Sequence, residues 1–482
     1  MSGKHRTLAA ILAALMILPC VACAANDGDT SKTGDVTTIA NAESDTSFFP
    51  DVEKRDYNGA TFCLSGTDGK GSWYLADEYK SGDENINVLN NTIYEMNTLI
   101  EDHLNVELVS GSTAGVPVET AIMSSDDIYQ ALVQHAYWEV APYISRNFVM
   151  DMNELDALDF SQFYWNGDII EELSINDHVY VAVGDICQSE LHMIYTNKDL
   201  MSTANIKMPY DQVRNGEWTF DTMSAMTADL YIDDGDGQRN NKDIYGFAGG
   251  WADWGAVLPQ ASDTFVASKN SDGGFDLSLY NDRTVEFYEK VFNWTQDESV
   301  KIWFFGSPDS EHVDFANNQA YLHGSTLGPQ YLSVEFKLGI LPMPKYEVSQ
   351  ENYSHVNWGD EILVPTTVKN RDMVGQVLEL LSFYSGTMVR EKYYDEVLQL
   401  RVSEAPDDRD MVELIYNTVV YDPGMVYAHA GGSETGSIYP LIYTFYFCVE
   451  EGKPNITSYY KAYDKPAQKQ INNLVKKVSQ RS

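Results

Sequence analysis

Polar and apolar positions alternate along this chain in two distinct rhythms, and the rhythm changes every ten to twenty residues. Ala60–Ser65 alternates with a period of two and ends in the Gly-rich stretch Gly66–Gly71, the pattern of a short strand and its turn. Asn85–Leu104 follows with Val88, Ile93, Met96, Ile100 and Leu104 at steps of three to five, which predicts an amphipathic helix. Val106–Val109, Asp127–Val133 and His178–Val183 read as further strands. Thr219 is placed to cap a helix over Phe220–Leu230, and Thr284–Trp294 and Val374–Ser385 are two more amphipathic helices. Strands separated by helices predict an α/β protein built on parallel sheets with crossover helices. Outside the N-terminal region the chain has no low-complexity tract, and it has no internal repeat.

The N-terminus breaks the pattern. Lys4, His5 and Arg6 precede the apolar run Leu8–Leu18, which is too short to span a bilayer permanently and has the layout of an export signal. Residues 24–48 are rich in Asp, Ser, Thr, Asn and Gly, too polar to bury a core, and read as a tether. Cys23, preceded by Val21-Ala22, stands where an acylated cysteine would anchor an exported lipoprotein. A plain secretory signal with incidental cysteines is the alternative. The expected division is thus a signal over 1–22 and a tether over 23–50. Cys63, Cys187 and Cys448 are then left, odd in number and far apart, so no disulfide framework organises the fold.

Composition narrows the partners. The formal net charge is −40 over 482 residues, and Lys and Arg clusters for nucleic acid or anionic lipid are not evident. Aromatic residues are abundant, with 31 Tyr, 19 Phe and 9 Trp, enough to line a cleft as well as a core. At this length the chain calls for two lobes or more.

Four segments resemble the extracellular solute-binding proteins of family 1, the group that includes the maltose-binding protein. They are Tyr195-Thr-Asn-Lys-Asp-Leu200, Gly216-Glu-Trp-Thr-Phe-Asp-Thr-Met223, Phe315-Ala-Asn-Asn-Gln-Ala-Tyr-Leu-His-Gly324 and Gly339-Ile-Leu-Pro-Met-Pro-Lys345. Their order and spacing agree with the family's. The resemblance implies a type II periplasmic-binding-protein-like fold, two α/β lobes joined by hinge segments that close on a ligand. It places lobe 1 mainly in 51–190 and 350–400, lobe 2 mainly in 191–349, and a C-terminal helical segment, 401–482, across both. It also implies a monomeric, non-enzymatic receptor on the outer face of the cytoplasmic membrane, delivering a carbohydrate to ABC permease subunits.

A pyranose offers a C–H face to aromatic rings and a rim of hydroxyls to carboxylates and amides, so Trp and Tyr beside Asp and Glu on strand-end loops are the expected ligand groups. Gly249-Gly-Trp-Ala-Asp-Trp-Gly255 supplies Trp251, Asp253 and Trp254, unless the tryptophans fill the core. Val356-Asn-Trp-Gly-Asp-Glu361 supplies Trp358 and Asp360. The loop after the first strand supplies Asp68, Trp73 and Tyr74, and His135-Ala-Tyr-Trp138 supplies Trp138. Glu190 is spaced like the cleft carboxylate that precedes the crossing strand in the maltose binder, though a salt bridge or solvent exposure would explain it equally well. No cofactor is required. The acidic stretch Asp233–Asp243 resembles an EF-hand-like loop, with Asp234, Asp236 and Asp243 as candidate ligands for a structural Ca²⁺. Against this, Ile232 stands where the first ligand belongs, and a simple acidic turn is the other reading. A secreted glycan-active hydrolase would need two carboxylates about 5–10 Å apart, and the abundance of acids leaves that reading open. A non-transport surface glycan binder shares every feature of the receptor.

Overall fold

The computed structural model describes residues 52–65, 88–110, 115–138, 140–187, 189–304, 315–327, 334–390, 392, 406–430, 436 and 438–481. The expectations for the signal, the tether and Cys23 lie outside these residues. Three strands come first: β1 (Ala60–Ser65), β2 (Val106–Ser110) and β3 (Ala131–His135). Five follow: β4 (His192–Asn197), β5 (Tyr245–Gly249), β6 (Val300–Ile302), β7 (Ala320–Thr326) and β8 (Leu338–Leu341). The last strand of the two main sheets is β9 (Asp360–Leu363); short pairs at 267–269 with 275–277 and 355–356 with 419–420 lie outside them.

Strands β1 to β9 form two separate mixed sheets. The first has the order β9-β3-β1-β2, with β1 parallel to both neighbours and β9 antiparallel to β3. The second has the order β8-β4-β7-β5-β6, with β5 parallel to β6 and β7, and β4 antiparallel to β7 and β8. The chain therefore leaves the first sheet after β3 and returns to it only at β9. The expectation of parallel sheets holds for the βαβ portions and fails for the strands that carry the chain in and out.

Helices pack where the periodicity places them, with caps that explain their starts. Helix α1 (Val88–Leu104) buries Ile93, Met96, Ile100 and Leu104. Helix α2 (Phe220–Thr227) begins at Thr219, whose hydroxyl accepts the Thr222 N–H. Helix α3 (Asp282–Thr295) is capped by Asn281 and buries Phe287, Tyr288, Val291 and Trp294 on one face. Helix α4 (Arg371–Tyr384) is capped by Asn370 and is buried along nearly all its length. Two expected strands shift. Asp127–Val133 becomes β3, which starts at Ala131. Residues 178–183 form no strand; they run extended beside β9 and bridge it only at Ala182–Ile362.

The C-terminal part contains α5 (Pro406–Asn417), α6 (Thr444–Glu450) and α7 (Thr457–Ser479). Buried polar bonds fasten it to earlier segments. Asp408 meets the Lys198 ammonium, the Tyr210 hydroxyl and the Ile340 N–H, and the Tyr427 hydroxyl donates to the Leu173 carbonyl. Cys63 and Cys448 are buried, Cys187 is half-buried, and no disulfide joins them.

Candidate functional site

The strand register creates the site. Antiparallel pairing sets Asp360, the first residue of β9, opposite His135, the last of β3, so their side chains share a face. The turn that follows β3 carries Tyr137 and Trp138, and the Ala136 N–H donates to the Gly359 carbonyl at 2.9 Å. From the second sheet comes the approach to β4, with Glu190 and His192. Asn357 locks that approach: its side-chain oxygen accepts the N–H groups of Glu190 at 2.8 Å and Gly359 at 2.9 Å.

Acids and imidazoles interleave here. The Glu190 carboxylate lies 3.5 Å from His135 Nε2 and 4.0 Å from His192 Nε2. His192 Nδ1 is 2.7 Å from Asp253 Oδ1, and the second Asp253 oxygen accepts the Gly250 N–H at 2.9 Å. Gly324 on β7 makes room for this, since a Cβ there would come within 2.9 Å of the Asp253 Cβ. Burial works against charge on His192, but the Asp253 hydrogen bond and the charges of Asp253 and Glu190 outweigh it, so its pKa is raised.

Asp360 is different. Burial pushes its carboxyl up to about 7; His135 opposes the shift and Glu190 adds to it. Its Oδ1 has no hydrogen-bond partner. The next residue, Glu361, is fully buried with neither oxygen bonded, and burial together with Asp360 raises its pKa strongly. Buried acceptors left open in this way are uncommon in folded proteins.

Aromatic rings surround the acids. Trp358 stacks on Tyr137 with centroids 6.0 Å apart and also meets His192 edge-on at 5.9 Å. Trp138 stacks on His429 at 5.3 Å, and Trp251 leans on Tyr443 at 5.2 Å. Tyr439 lies 5.7 Å from Tyr137 and 5.2 Å from Tyr443. Trp138, Trp251 and Tyr439 are half-buried, whereas Tyr137, Trp358 and Tyr443 are buried behind them.

Six of the expected ligand residues meet here: Trp138, Glu190, Trp251, Asp253, Trp358 and Asp360. Two carry qualifications, because Asp253 is engaged by His192, and the Trp358 indole donates to Gln260 at 3.2 Å. Trp254 is a correction. It is wholly buried, packs on Phe304 and Tyr446, and belongs to the core. Trp251 also leans on Tyr446 but stays half-buried and reaches Tyr443, whereas Trp254 is fully covered. Asp68, Trp73 and Tyr74 lie outside the described residues. Sequence reasoning did not single out His135, Tyr137, His192, Glu361, His429, Tyr439 or Tyr443. A signal existed for the last two: Tyr439-Pro-Leu-Ile-Tyr-Thr-Phe-Tyr-Phe447 is a dense aromatic run with rings at helical steps.

The acidic loop is also redrawn. Asp233, Asp234 and Asp236 bring their carboxylates within 4.8 Å of one another, while Asp243 stands apart. Asp243 is buried and accepts the N–H groups of Asn240 and Asp234 and the Tyr231 hydroxyl; despite burial, these donors lower its pKa. It ties the loop down rather than joining the cluster. The clustered acids accept N–H bonds from Gly235, Asp236 and Gln238, and these turns account for the loop's shape.

Among the described residues no helix is long and apolar enough to cross a membrane. No protein-family model matches the sequence, and no curated protein matches it. Solved structures do match its fold. One is the galacto-N-biose/lacto-N-biose I-binding protein of an ABC transporter from Bifidobacterium longum, in complex with lacto-N-biose. It is 9% identical, with 86% of this chain and 98% of that one covered and a TM-score of 0.53. Another is the maltose/maltodextrin-binding domain MalE from Bdellovibrio bacteriovorus bound to maltotriose, 13% identical over 86% and 100%, with a TM-score of 0.52. A third is UgpB from Mycobacterium tuberculosis with glycerophosphocholine, 13% identical over 86% and 99%, TM-score 0.52. The fold is the two-lobed α/β fold of type II periplasmic binding proteins.

Proposed function

We propose that this chain is an extracellular solute-binding lipoprotein of an ABC importer, similar to family 1, that binds a carbohydrate without transforming it. The observation that carries this reading is the site at β3, β4 and β9, where Glu190, Asp360 and two histidines lie among half-buried aromatic rings. Rings of this kind cover the C–H face of a sugar, and open carboxylate oxygens accept its hydroxyls. Its fold is shared with proteins solved in complex with lacto-N-biose and maltotriose, which supports the class of solute. In this reading the lobes divide at 190–191 and near 350, and the polar stretch after Cys23 holds the receptor near its permease.

Two experiments test it. A thermal-shift screen against mono-, di- and oligosaccharides should find a ligand that adds about 2.7 kcal/mol of stability at 100 times its Kd. A complete lack of shift across sugars, with a shift for some other solute class, would move the site to that class. Cys23→Ala should release the protein from membranes; a variant that still fractionates with lipid rules out the anchor.

A further inference from the structure

Asp408 shows how this protein satisfies a carboxylate in its interior. It takes the ammonium of Lys198, the hydroxyl of Tyr210 and one backbone N–H. Asp360 is buried almost as deeply, at 3% exposure, yet one of its oxygens is left without any donor. The charged side chains that act on it are His135 and Glu190. Asp360 is in turn the one charged neighbour acting on Glu361. Among the described residues, no lysine or arginine acts on either acid. What is present is a second carboxylate and an imidazole, with the rings of Tyr137 and Trp138 following in the same turn.

A ligand carrying only hydroxyls could donate hydrogen bonds here but would do nothing to hold Asp360 and Glu190 ionised side by side. An ammonium supplies three donors and cancels charge, and it also sits well against aromatic faces. We infer that the solute held at this site carries a protonated amine among its hydroxyls, as an amino sugar does, and that the ammonium meets Asp360 beside Glu190. The inference rests on the carbohydrate-binding function proposed above and narrows it. In effect the ligand brings to Asp360 the ammonium-and-hydroxyl pair that Lys198 and Tyr210 bring to Asp408.

The test is a set of matched sugars on the full-length protein at pH 6.5, read by titration calorimetry. Aminated mono- and disaccharides, such as glucosamine and its β-1,4-linked disaccharide, are each paired with the N-acetylated form and with the neutral form bearing hydroxyl. At least one aminated sugar should bind about tenfold or more tightly than both of its partners, the margin expected of one charge-assisted bond. Asp360→Asn should cut that preference to below about twofold while the variant still melts cooperatively. Glu190→Gln provides a second reading of the same loss should Asp360→Asn fold poorly. If neutral or N-acetylated sugars bind as well as the aminated ones, or if the preference survives both substitutions, the amine assignment falls and carbohydrate binding stands. If no sugar of any kind binds, both fall.

Discussion

Asp422 and Asp360 are buried to nearly the same depth, and their surroundings differ in one respect. Asp422 accepts the N–H groups of Val266, Gly424 and Ala267 at 2.8, 2.8 and 3.3 Å and the Gln260 side chain at 3.3 Å. Glu379 is similar, bonded by the Tyr164 hydroxyl, the Trp165 indole and the Asp159 N–H. Burial raises the pKa of both acids, and in each case the donors pull it back. Asp360 and Glu361 have no such shell. A carboxylate with its donors complete has an internal job, here the stapling of distant segments. One whose acceptors stay open within an aromatic pocket is poised for donors that come from outside.

The contrast can be broken by substitution. The largest effect is expected for Asp422→Ala, which orphans three buried N–H groups at about 1–3 kcal/mol each and should lower the melting temperature steeply. A melting temperature close to wild type would show that the shell around Asp422 is dispensable. Next is Trp254→Ala, which should cost about 3–5 kcal/mol of stability and leave the affinity of the folded fraction intact. Trp251→Ala, three residues away, should do the reverse, weakening ligand binding by about 1–3 kcal/mol with a smaller loss of stability. Should the two variants swap these phenotypes, the assignment of core and cleft is inverted.

The remaining effect is a matter of pH. Asp360 has a folded pKa of about 7 against an ordinary value of 3.8, so the folded chain holds the proton more tightly than the unfolded chain. Stability from this group is therefore present below pH 3.8 and is lost as pH rises towards 7. Asp360→Asn should match wild type in acid and become progressively more stable than it across that window, as read by melting curves at stepped pH. A constant difference at every pH would mean that Asp360 is not the group responsible. His192 has the same sign, since its raised pKa also makes its contribution disappear as pH rises, but above its ordinary value of 6.5.

Much of this architecture was legible in the sequence, for reasons that differ residue by residue. Helix α3 follows from Phe287, Tyr288, Val291 and Trp294 falling on one face with an Asn cap, which is local information. The strand expected over 178–183 alternates as a strand should, but it meets the free edge of β9 at Ala182 alone, and His178 bridges back to Ile175 instead. Nothing local fixes the antiparallel return of β9, yet that return is what sets Asp360 against His135. Trp251 and Trp254 stand on either side of Asp253 in the sequence, and only burial separates them: Trp254 is fully covered and Trp251 is half-buried. His429, Tyr439 and Tyr443 reach the site from the far end of the chain, where no motif marks them as partners of Tyr137.

The place of β9 has a consequence for assembly. Strand β3 is made early, but the partner that covers its outer edge arrives only after every strand of the second sheet. Until then β3 presents unpaired backbone groups along a strand that the finished fold buries completely, which is the kind of edge that recruits other chains. The second sheet draws all its strands from one continuous stretch, His192–Leu341, and can close without waiting. The candidate site, built where β9 meets β3, is thus among the last parts of the molecule to form. A chain truncated before Asp360 would keep every strand of the second sheet and lose both the candidate site and the cover on the outer edge of β3.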